Sequence, residues 1–502
     1  MNPVENNKVP PKSVLAIDVG TSVIKATLFA DSGEILCQGS ETVENAGVGY
    51  VDPNAIWEIT ARVIQSSRTV KGEDLPVHSV IVTGQGDGLW MLEGGNKVPT
   101  KAYLWNSSAG AEVIQSLESD GIIQKHFESS GNVLWSGCSV ALWKWFKQTE
   151  PAAAQKITTI FNAKDFINFK LTDKIATDLT DASIPFANPK TGEYADAAFE
   201  LLDARDMKAL APEILPAGNL IGTLTPEAAR LTGLNQDTQV YMGVLDVVAM
   251  LFGSGLKNQG DVLTVLGTTA ASISIVPSHQ ASRAFAGATI YLDDLKTHFR
   301  VMGSSSGTAT LDWYMKNLGF LGENRYKELW DEINDTKPSN EVFLPFLNGE
   351  RAPFLAPKAT GSLLGITAET TRGAIARAVV EGITMSLNHG IQVAAEESNM
   401  KPGGALTLCG GGSASQQWAQ LVANVTGCEV RVDNRPDVGA IGVASLLLPE
   451  VGVRSEKILS QEKTYLPNQS YALMQEKYFR YLDYVKVFRA IWQQAPTTSR
   501  QD

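Results

Sequence analysis

The chain is poor in cysteine and lacks a run of basic residues. Its 502 residues include only four cysteines, Cys37, Cys138, Cys409 and Cys428, and no two of them form a C-x-x-C pair. This spacing disfavours a disulfide framework and a cysteine-based zinc site, so we expect reduced packing residues. Asp and Glu outnumber Lys and Arg by 54 to 42, which gives a net charge of −12. Such an acidic chain is a poor candidate for binding nucleic acid, whose phosphates attract basic residues.

Long apolar runs and a targeting signal are also missing from the sequence. The longest apolar run, residues 240–256, is interrupted by Asp246 and glycines and is too short to span a bilayer. Residues 1–12 are polar and contain proline, unlike a signal peptide. We therefore expect a cytoplasmic protein without a membrane partner. The length predicts more than one domain, and an apolar content of 44% is typical of a globular protein.

The first informative segment has two apolar runs that flank a polar turn. The runs, Val14–Ile17 and Ile24–Phe29, predict a β-hairpin. Its turn carries Asp18, Gly20, Thr21 and Ser22. Backbone N–H groups and hydroxyls suit phosphate oxygens, and a carboxylate suits a hydrated Mg²⁺. The alternative is an ordinary hairpin with polar turn residues.

A second hairpin of the same design follows in the second half of the chain. Val262–Leu266 and Ser272–Val276 are β-prone runs, and the turn between them begins with Gly267, Thr268 and Thr269. This is the nearest feature to an internal repeat. No low-complexity linker separates the halves, so we place domain boundaries at residues 12–248 and 249–495. Within the first half, Asp52 before Pro53 predicts the start of a helix, with Asp52 as its N-cap.

A glycine-rich turn lies between a predicted strand and a predicted helix. Leu406–Leu408 is strand-like and 416–425 is helix-like, and the turn between them contains Gly410, Gly411, Gly412 and Ser413. Glycines permit close approach of a ligand to the backbone, and a helix N-terminus favours negative charge. The spacing is not G-x-G-x-x-G, so a dinucleotide fingerprint is not supported. A tight turn without a ligand is the alternative.

Asp246 lies inside an apolar run, where a carboxylate is either a helix N-cap or a functional acid. Burial would raise its pKa and make it a better proton acceptor. Phosphoryl transfer to an alcohol needs a group that orients the hydroxyl and takes its proton.

A polar loop after the predicted strand at residues 78–82 provides candidate ligands for a polyol. Gln85 and Asp87, on either side of Gly86, offer hydrogen bonds to hydroxyls, and Trp90 offers an apolar ring face. Trp105, Asn106 and Trp135 would complete such a pocket. The alternative for each of them is a role in a turn or in the core.

Taken in order, these motifs resemble those of the FGGY carbohydrate kinases over nearly the whole chain. Asp18–Ser22 with Lys25 is similar to the family's first phosphate motif, and Leu266–Thr269 to the second. Gly410–Ser413 with Trp418 is similar to the adenosine motif, and Gly439–Ala444 to a late connecting segment. Two family signatures also match, at residues 361–381 and 137–146. They depart from the family pattern at Ala374 and Leu142, where a polar residue and a lysine are usual.

The resemblance implies an α/β fold of two ribonuclease-H-like domains of the actin and sugar-kinase superfamily, with a cleft between them. It implies that the first domain binds mainly sugar and the second mainly ATP. Asp246 falls at the position of the catalytic base, and Asp18 at the position that holds Mg²⁺. Thr21, Ser22, Thr268 and Thr269 fall on the phosphate hairpins. Homodimers are common in the family, but no residue pattern here demonstrates one.

Loop residues distinguish branches of this family. D-xylulose kinases usually carry Met-His where this chain has Gly86-Asp87, and Asn where it has Val247. The sequences at 85–88, 134–137 and 246–248 look more like the L-xylulose (3-keto-L-gulonate) and erythritol kinase branch. A pentulose or linear polyol is therefore the expected substrate class.

Other functions are open on the sequence alone. The first hairpin fits equally well an ATPase or nucleotide-gated binding protein of the superfamily, although Asp246 and the Gln85–Asp87 loop argue against that alternative. A protein that binds sugar without catalysis is disfavoured by Asp18, Thr268 and Asp246. A kinase for gluconate, glycerol or ribulose also remains an alternative.

Overall fold

A computed structural model describes residues 13–44, 46–277, 284–337, 340–397, 405–459 and 463–494. Residues 1–12, which the sequence predicts not to be a signal peptide, lie outside the described residues. The chain divides into two compact units. The first unit comprises the chain up to Gly255, Thr289–Thr297, and a segment that begins at Arg435 and ends before Gln461. The second comprises Leu256–Ala288, His298–Asn434 and the chain from Gln461 onward.

The regular elements follow one another along the described chain. The strands are β1 (Ser13–Val19), β2 (Val23–Ala30), β3 (Ile35–Thr42), β4 (Tyr50–Val51), β5 (Thr69–Val70), β6 (Glu73–Asp74), β7 (Ser79–Gly84), β8 (Trp90–Glu93), β9 (Ala102–Tyr103), β10 (Ile157–Phe161), β11 (Ala176–Thr177), β12 (Glu213–Ile214), β13 (Leu220–Thr223), β14 (Gln239–Leu245), β15 (Val262–Leu266), β16 (Ala270–Pro277), β17 (Ala288–Tyr291), β18 (Thr297–Ser304), β19 (Val342–Leu344), β20 (Ser362–Leu364), β21 (Leu406–Cys409), β22 (Val430–Val432) and β23 (Thr464–Tyr465). The helices are α1 (Pro53–Ser66), α2 (Ala111–Ser119), α3 (Ile122–Ser130), α4 (Ser139–Thr149), α5 (Pro151–Ala154), α6 (Ala163–Thr172), α7 (Leu179–Ala182), α8 (Asp196–Leu201), α9 (Arg205–Lys208), α10 (Pro226–Thr232), α11 (Asp246–Gly253), α12 (Thr308–Asn317), α13 (Arg325–Asp335), α14 (Arg372–Glu397), α15 (Gln416–Thr426), α16 (Val438–Ser445), α17 (Pro449–Leu459) and α18 (Tyr471–Gln494). Short 3-10 helices span Ala46–Val48 and Gly411–Ala414. Within the described residues, no helix has both the length and the apolar character needed to cross a membrane.

The sheet of the first unit has the strand order β13-β14-β7-β1-β2-β3. β1 pairs antiparallel with β2, and β2 with β3, whereas β7 runs parallel to both β1 and β14. β1 is central and its apolar side chains are fully buried, as expected for a strand covered on both faces. Because β1, β7 and β14 are parallel, their carboxyl ends meet at one edge of the sheet.

Helix α1 of the first unit starts where the sequence predicts. The Asp52 side chain accepts a hydrogen bond of 2.9 Å from the backbone N–H of Asn54, and Pro53 is the first helical residue. The cap satisfies one of the N–H groups that a helix start leaves unpaired. The buried face of α1 includes Ile56, Trp57 and Ile64, which join the core beneath the sheet.

The second unit repeats this plan. Its sheet contains the order β18-β16-β15-β21-β22-β23, in which β15 pairs antiparallel with β16 and parallel with β21. β21 is also parallel to β22. Helices α14 and α15 bury Ile383, Leu387 and Val422 in its core. Both predicted hairpins are present, and the predicted fold class of two α/β domains is confirmed.

The compact units are not continuous in sequence. Residues 289–297 and the segment from Arg435 group with the first unit. The segment from Arg435 groups with the first unit because its helix α16 packs against α11 with no side chains between the two backbones. A Cβ on Gly442 would lie 1.7 Å from the carbonyl oxygen of Ala249. The predicted division into 12–248 and 249–495, whose outer limits lie outside the described residues, is kept below as a proposal about function.

All four cysteines are free, and Cys138, Cys409 and Cys428 are buried, in agreement with their expected role in packing.

Candidate active site

Two carboxylates of the first unit lie at the edge where the parallel strands end. Asp18 is near the end of β1, beside Thr83 of β7 in the strand register. Asp246 directly follows β14, whose last residue, Leu245, is level with Gly84 of β7. The negative charge of Asp18 acts on Asp246 and raises the pKa of Asp246. The fold thus brings together the predicted metal ligand and the predicted base.

Asp246 is the first residue of α11 and is not its N-cap, which is Leu245. The structure therefore excludes one of the two interpretations of this carboxylate. Burial and the charge of Asp18 together raise the pKa of Asp246 to about 7, although the Val247 N–H donates a 2.7 Å hydrogen bond to it. A carboxylate with such a pKa is a much stronger proton acceptor than an exposed one.

Asp18 has few compensating groups around it. Burial raises the pKa of Asp18 to about 6, and the positive charge of Lys25 only partly opposes this. The ammonium of Lys25 itself donates a 2.9 Å hydrogen bond to the carbonyl of Pro436. Gly439 lies against the carboxylate, because a Cβ there would be 3.1 Å from Asp18 Oδ2. One of the glycines predicted to form the late connecting segment therefore borders the carboxylate.

Side chains of the two predicted sites form one hydrogen-bonded chain. Trp135 Nε1 donates to the carbonyl of Trp105 over 2.9 Å, and Trp105 Nε1 donates to Thr21 Oγ1 over 3.0 Å. The Thr21 hydroxyl in turn donates to Gln85 Oε1 over 3.0 Å. Thr21, predicted to contact phosphate, is thus linked to three residues predicted to contact sugar. Ser22 on the same turn is exposed.

Asp87 has an unusual environment for a carboxylate. It accepts a hydrogen bond from the N–H of Ser139, the first residue of α4, yet burial raises the pKa of Asp87 to about 8. Its Oδ1 is buried and has no hydrogen-bond partner among the described residues. The protonated acid, which is favoured at neutral pH, can donate a hydrogen bond as well as accept one.

Gly86 allows the backbone of this loop to lie close to β14. A Cβ on Gly86 would lie 2.2 Å from Leu245 Cδ1 and 2.8 Å from Asp181 Oδ1. A side chain at residue 86 would therefore require the side chains of Leu245 and Asp181 to move.

Trp90 and Asn106 have different surroundings. Trp90 is 1% exposed and packs in the core against Phe166, with 5.4 Å between ring centroids. Its ring face is not available to a ligand, so it does not belong to the candidate site. Asn106 is exposed and lines an open pocket of about 390 Å³ together with Tyr103 and Trp145.

In the second unit, the turn of the second hairpin presents exposed hydroxyls. Thr268 and Thr269 are both exposed, and the N–H of Gly267 bonds to the carbonyl of Thr269. The turn is supported from behind by Gly307, where a Cβ would lie 2.6 Å from the carbonyl oxygens of Gly267 and Thr268. Gly307 was not predicted from the sequence, although the run of serines before this glycine was a visible loop signal.

The glycine-rich turn meets the second hairpin at the edge of the sheet of the second unit. Gly410 has a φ of +91°, and a Cβ there would lie 2.8 Å from the carbonyl oxygen of Leu266. Gly411 faces open space. The Ser413 hydroxyl is buried and bonds to the Gly410 carbonyl and to Asn434, so it organises the turn.

An open pocket of about 720 Å³ adjoins the start of α15 in the second unit. Gln416 and Gln417 line it beside the apolar side chains of Trp330 and Ile333. Trp418 is not part of the pocket: it is buried, and its Nε1 donates a 2.9 Å hydrogen bond to Thr384 Oγ1. Charged side chains also line the pocket, namely Arg377, Glu381 and Lys463.

Two domains of one known protein family match this chain. Residues 13–253 match the N-terminal domain of the FGGY family of carbohydrate kinases, and residues 262–448 match its C-terminal domain. The chain is 26% identical over 501 residues to a probable L-xylulose kinase of Haemophilus influenzae, covering 95% of this chain and 99% of that protein. It is 26% identical to the xylulose kinase of Escherichia coli, over 96% of this chain and 98% of that protein.

Other relatives and a solved structure are also similar to this chain. Further relatives are named erythritol kinase and L-xylulose/3-keto-L-gulonate kinase. The fold is similar to that of gluconate kinase from Lactobacillus acidophilus, with a TM-score of 0.87 at 22% identity, over 96% of this chain and 99% of that chain. The chain therefore belongs to the FGGY family of carbohydrate kinases, which phosphorylate sugars with ATP.

Proposed function

We propose that this kinase transfers the γ-phosphate of ATP to a hydroxyl of a pentulose or linear polyol, with Asp246 as the general base. The observation that carries the proposal is the position of Asp246 directly after β14, at the same sheet edge as Asp18, where burial and the charge of Asp18 raise the pKa of Asp246 to about 7. Names of relatives such as L-xylulose kinase and erythritol kinase support the substrate class.

In this mechanism the hydroxyl of the bound sugar donates a hydrogen bond to the Asp246 carboxylate. As the oxygen of that hydroxyl attacks the γ-phosphorus, its proton passes to Asp246 and the bond from the γ-phosphorus to the β-phosphate oxygen breaks. The products are a sugar phosphate and ADP. Phosphoryl transfer depends mostly on positioning and electrostatics, so the base mainly orients the hydroxyl and takes its proton late.

The residues around Asp18 fit a hydrated Mg²⁺. Asp18 is a partly buried carboxylate, and the missing side chain at Gly439 leaves room beside its Oδ2. Mg²⁺ keeps several waters and needs one or two carboxylates, which suits a site with so few protein oxygens. Bound there, the ion would neutralise charge on the ATP phosphates.

We propose that Gln85, Gly86, Asp87, Trp105, Asn106 and Trp135 form the sugar site in the first domain. A neutral Asp87 would donate its proton in a hydrogen bond to a sugar oxygen. The Thr21–Trp105–Trp135 chain supports this proposal because it fixes the orientation of the aromatic rings. Trp90 is left out because it is a core residue.

We assign ATP to the turns of both hairpins and to the glycine-rich turn. The members are Gly20, Thr21, Ser22 and Lys25 of the first domain and Gly267, Thr268, Thr269, Gly410, Gly411, Gly412 and Ser413 of the second. Ser413 would act by shaping the turn. The proposed functional domains remain 12–248, which would bind the sugar and carry the first phosphate hairpin, and 249–495, which would bind most of the ATP.

The test is release of ADP by the purified protein with Mg²⁺, ATP and a panel of acceptors. The panel contains L-xylulose, D-xylulose, 3-keto-L-gulonate, erythritol, gluconate and glycerol. The proposal expects a pentulose or linear polyol to stimulate release most strongly. Release that no acceptor stimulates would overturn it, and a clear preference for gluconate would correct the substrate class.

A further inference from the structure

Strand β14 leaves its regular pairing with β7 just before Asp246. Met242 is level with Val82, but Leu245 is level with Gly84, so β14 contains one more residue than β7 over this stretch. A Cβ on Gly243 would lie 1.9 Å from the carbonyl oxygen of Val82, which shows how closely the two backbones approach here. Bulges of this kind change the direction of the following side chain.

Two buried threonine hydroxyls bind the backbone of this bulge. Thr180 Oγ1 accepts a hydrogen bond of 2.8 Å from the N–H of Leu245. Thr83 Oγ1 donates a hydrogen bond of 2.6 Å to the carbonyl of Val244. Both threonines are at most 1% exposed. Side chains therefore pair the backbone groups of the two residues that precede Asp246.

Thr180 is itself fixed by a carboxylate. Its hydroxyl donates to Asp178 Oδ2 over 2.5 Å, and its backbone N–H donates to the same oxygen over 2.9 Å. The Thr180 hydroxyl directs its proton to Asp178, so a lone pair of its oxygen accepts the hydrogen bond from the N–H of Leu245. The hydroxyl therefore has a single orientation, and the Leu245 N–H is held at a fixed point.

Asp178 is in turn held by a buried lysine. Lys164 Nζ lies 2.8 Å from Asp178 Oδ1, and it also lies 2.6 Å from Asp165 Oδ1 and 2.8 Å from Asp181 Oδ2. All four side chains are at most 1% exposed. Burying ions costs free energy and is weak evidence of a role in stability. An arrangement with three carboxylates around one lysine is better explained by the geometry that it imposes.

We propose that Thr180, oriented by Asp178 and Lys164, is a positioning residue that sets the direction of the Asp246 carboxylate. The chain of contacts runs from Lys164 through Asp178 and the Thr180 hydroxyl to the N–H of Leu245, the residue that precedes Asp246. This inference rests on the proposed role of Asp246. A positioning role of Thr180 differs from a role in stability alone, because removal of its hydroxyl would then lower kcat by more than the loss of folded protein explains.

The test compares Thr180→Val, which replaces the hydroxyl by a methyl group, with Thr180→Ser, which keeps the hydroxyl. Thr232→Val is the matched control, since Thr232 is equally buried in the first unit. Its hydroxyl donates to the carbonyl of Ala228 and accepts a 3.4 Å hydrogen bond from the N–H of Leu234, and neither bond involves β14 or Asp246. Each variant is assayed for ADP release with the acceptor that the wild type prefers in the panel, and its melting temperature is recorded.

We expect Thr180→Val to lower kcat by about 100-fold, as a small misplacement of a reacting group can, with KM for the acceptor changed little. Thr180→Ser should recover most of kcat, and Thr232→Val should match the wild type. Wild-type kcat in Thr180→Val, or an equal loss in Thr232→Val, would overturn the inference. If Asp246→Asn remains fully active, the proposed role of Asp246 fails instead.

A second measurement does not depend on turnover. Amide hydrogen exchange of the peptide that contains Leu245 reports directly on the bond to Thr180. Thr180→Val should make exchange there faster, whereas Thr232→Val and Thr180→Ser should not. Unchanged protection of that peptide in Thr180→Val would overturn the inference even if no acceptor were known.

Discussion

The negative charge of Asp18 raises the pKa of Asp246, and both carboxylates lie at the carboxyl end of strands that run parallel to β7. Each pKa is raised mainly by burial, to about 6 for Asp18 and about 7 for Asp246. The two groups are therefore suited to different tasks. The more basic Asp246 suits proton transfer, whereas Asp18, with Lys25 nearby, stays ionised more readily.

The pKa of Asp246 predicts a pH dependence. The base must be ionised to accept a proton, so activity is present above this pKa and is lost as the pH falls through it. We expect kcat/KM to rise about tenfold per pH unit below pH 7 and to level off between pH 7 and about pH 8, the pKa of Asp87. Initial rates between pH 5.5 and 8.5, with the melting temperature measured at each pH, check this. A flat profile over a range in which the protein stays folded would contradict it.

Because Asp87 is neutral at pH 7, a neutral amide side chain should be able to replace it. Because burial raises the pKa of Asp87 to about 8, the acid is mostly protonated at pH 7. Asp87→Asn, which also donates and accepts hydrogen bonds, should change KM for the acceptor by less than about threefold, whereas Asp87→Leu should raise it at least about tenfold. Above pH 8 the wild type should lose affinity as Asp87 ionises, but Asp87→Asn should not. If both substitutions gave the same KM, Asp87 would have no part in binding.

Replacement of Gly439 by alanine should raise the Mg²⁺ concentration that the enzyme needs. A Cβ added there would lie 3.1 Å from Asp18 Oδ2 and would crowd the proposed metal site. Gly439→Ala should raise the Mg²⁺ concentration for half-maximal rate by about threefold to tenfold, while alanine favours the helix itself. Gly452→Ala is the control, because Gly452 also lies in a helix, α17, and a Cβ there would meet only the Cβ of Ser445, at an ordinary contact distance of 3.5 Å. An unchanged Mg²⁺ requirement in Gly439→Ala would argue against metal binding at Asp18.

Replacement of Gly307 by alanine should weaken the binding of ATP. Its Cβ would lie 2.6 Å from backbone oxygens of Gly267 and Thr268, so the turn of the second hairpin would have to move. Gly307→Ala should raise KM for ATP at least about tenfold, as expected when the groups that position a ligand shift. Circular dichroism should show a folded protein. Wild-type KM for ATP would mean that this turn does not bind phosphate.

Local patterns in the sequence predicted the parts of the fold that depend on local interactions. Alternating apolar runs around polar turns located both hairpins, and Asp52 before Pro53 located the start of α1. The glycine-rich turn between Leu408 and Gln416 was also found. Each of these signals lies within a few residues of the structure that it specifies, so no long-range packing had to be known.

Features that depend on long-range packing could not be found in this way. Trp90 looked like a ligand-facing ring beside a polar loop, but it is a core residue because β8 directs it toward Phe166 of α6. Gly307 supports a turn about forty residues earlier in the chain. The bonds of Thr21 to Trp105 and Gln85 join segments that only the folded sheet brings together.

The central claim is that Asp246 is the base of a sugar kinase, and replacement by an amide tests it most directly. Asp246→Asn keeps the shape of the side chain but cannot accept the proton. Asp52→Asn is the matched control, because asparagine caps a helix as well as aspartate does. Both variants are compared with the wild type in acceptor-stimulated ADP release, and acceptor binding is measured by calorimetry.

We predict that Asp246→Asn binds the acceptor normally but loses about 10²- to 10⁴-fold in kcat, the range for loss of a general base. Asp52→Asn should retain wild-type turnover. Near-normal turnover in Asp246→Asn, with the same preferred acceptor, would contradict the account.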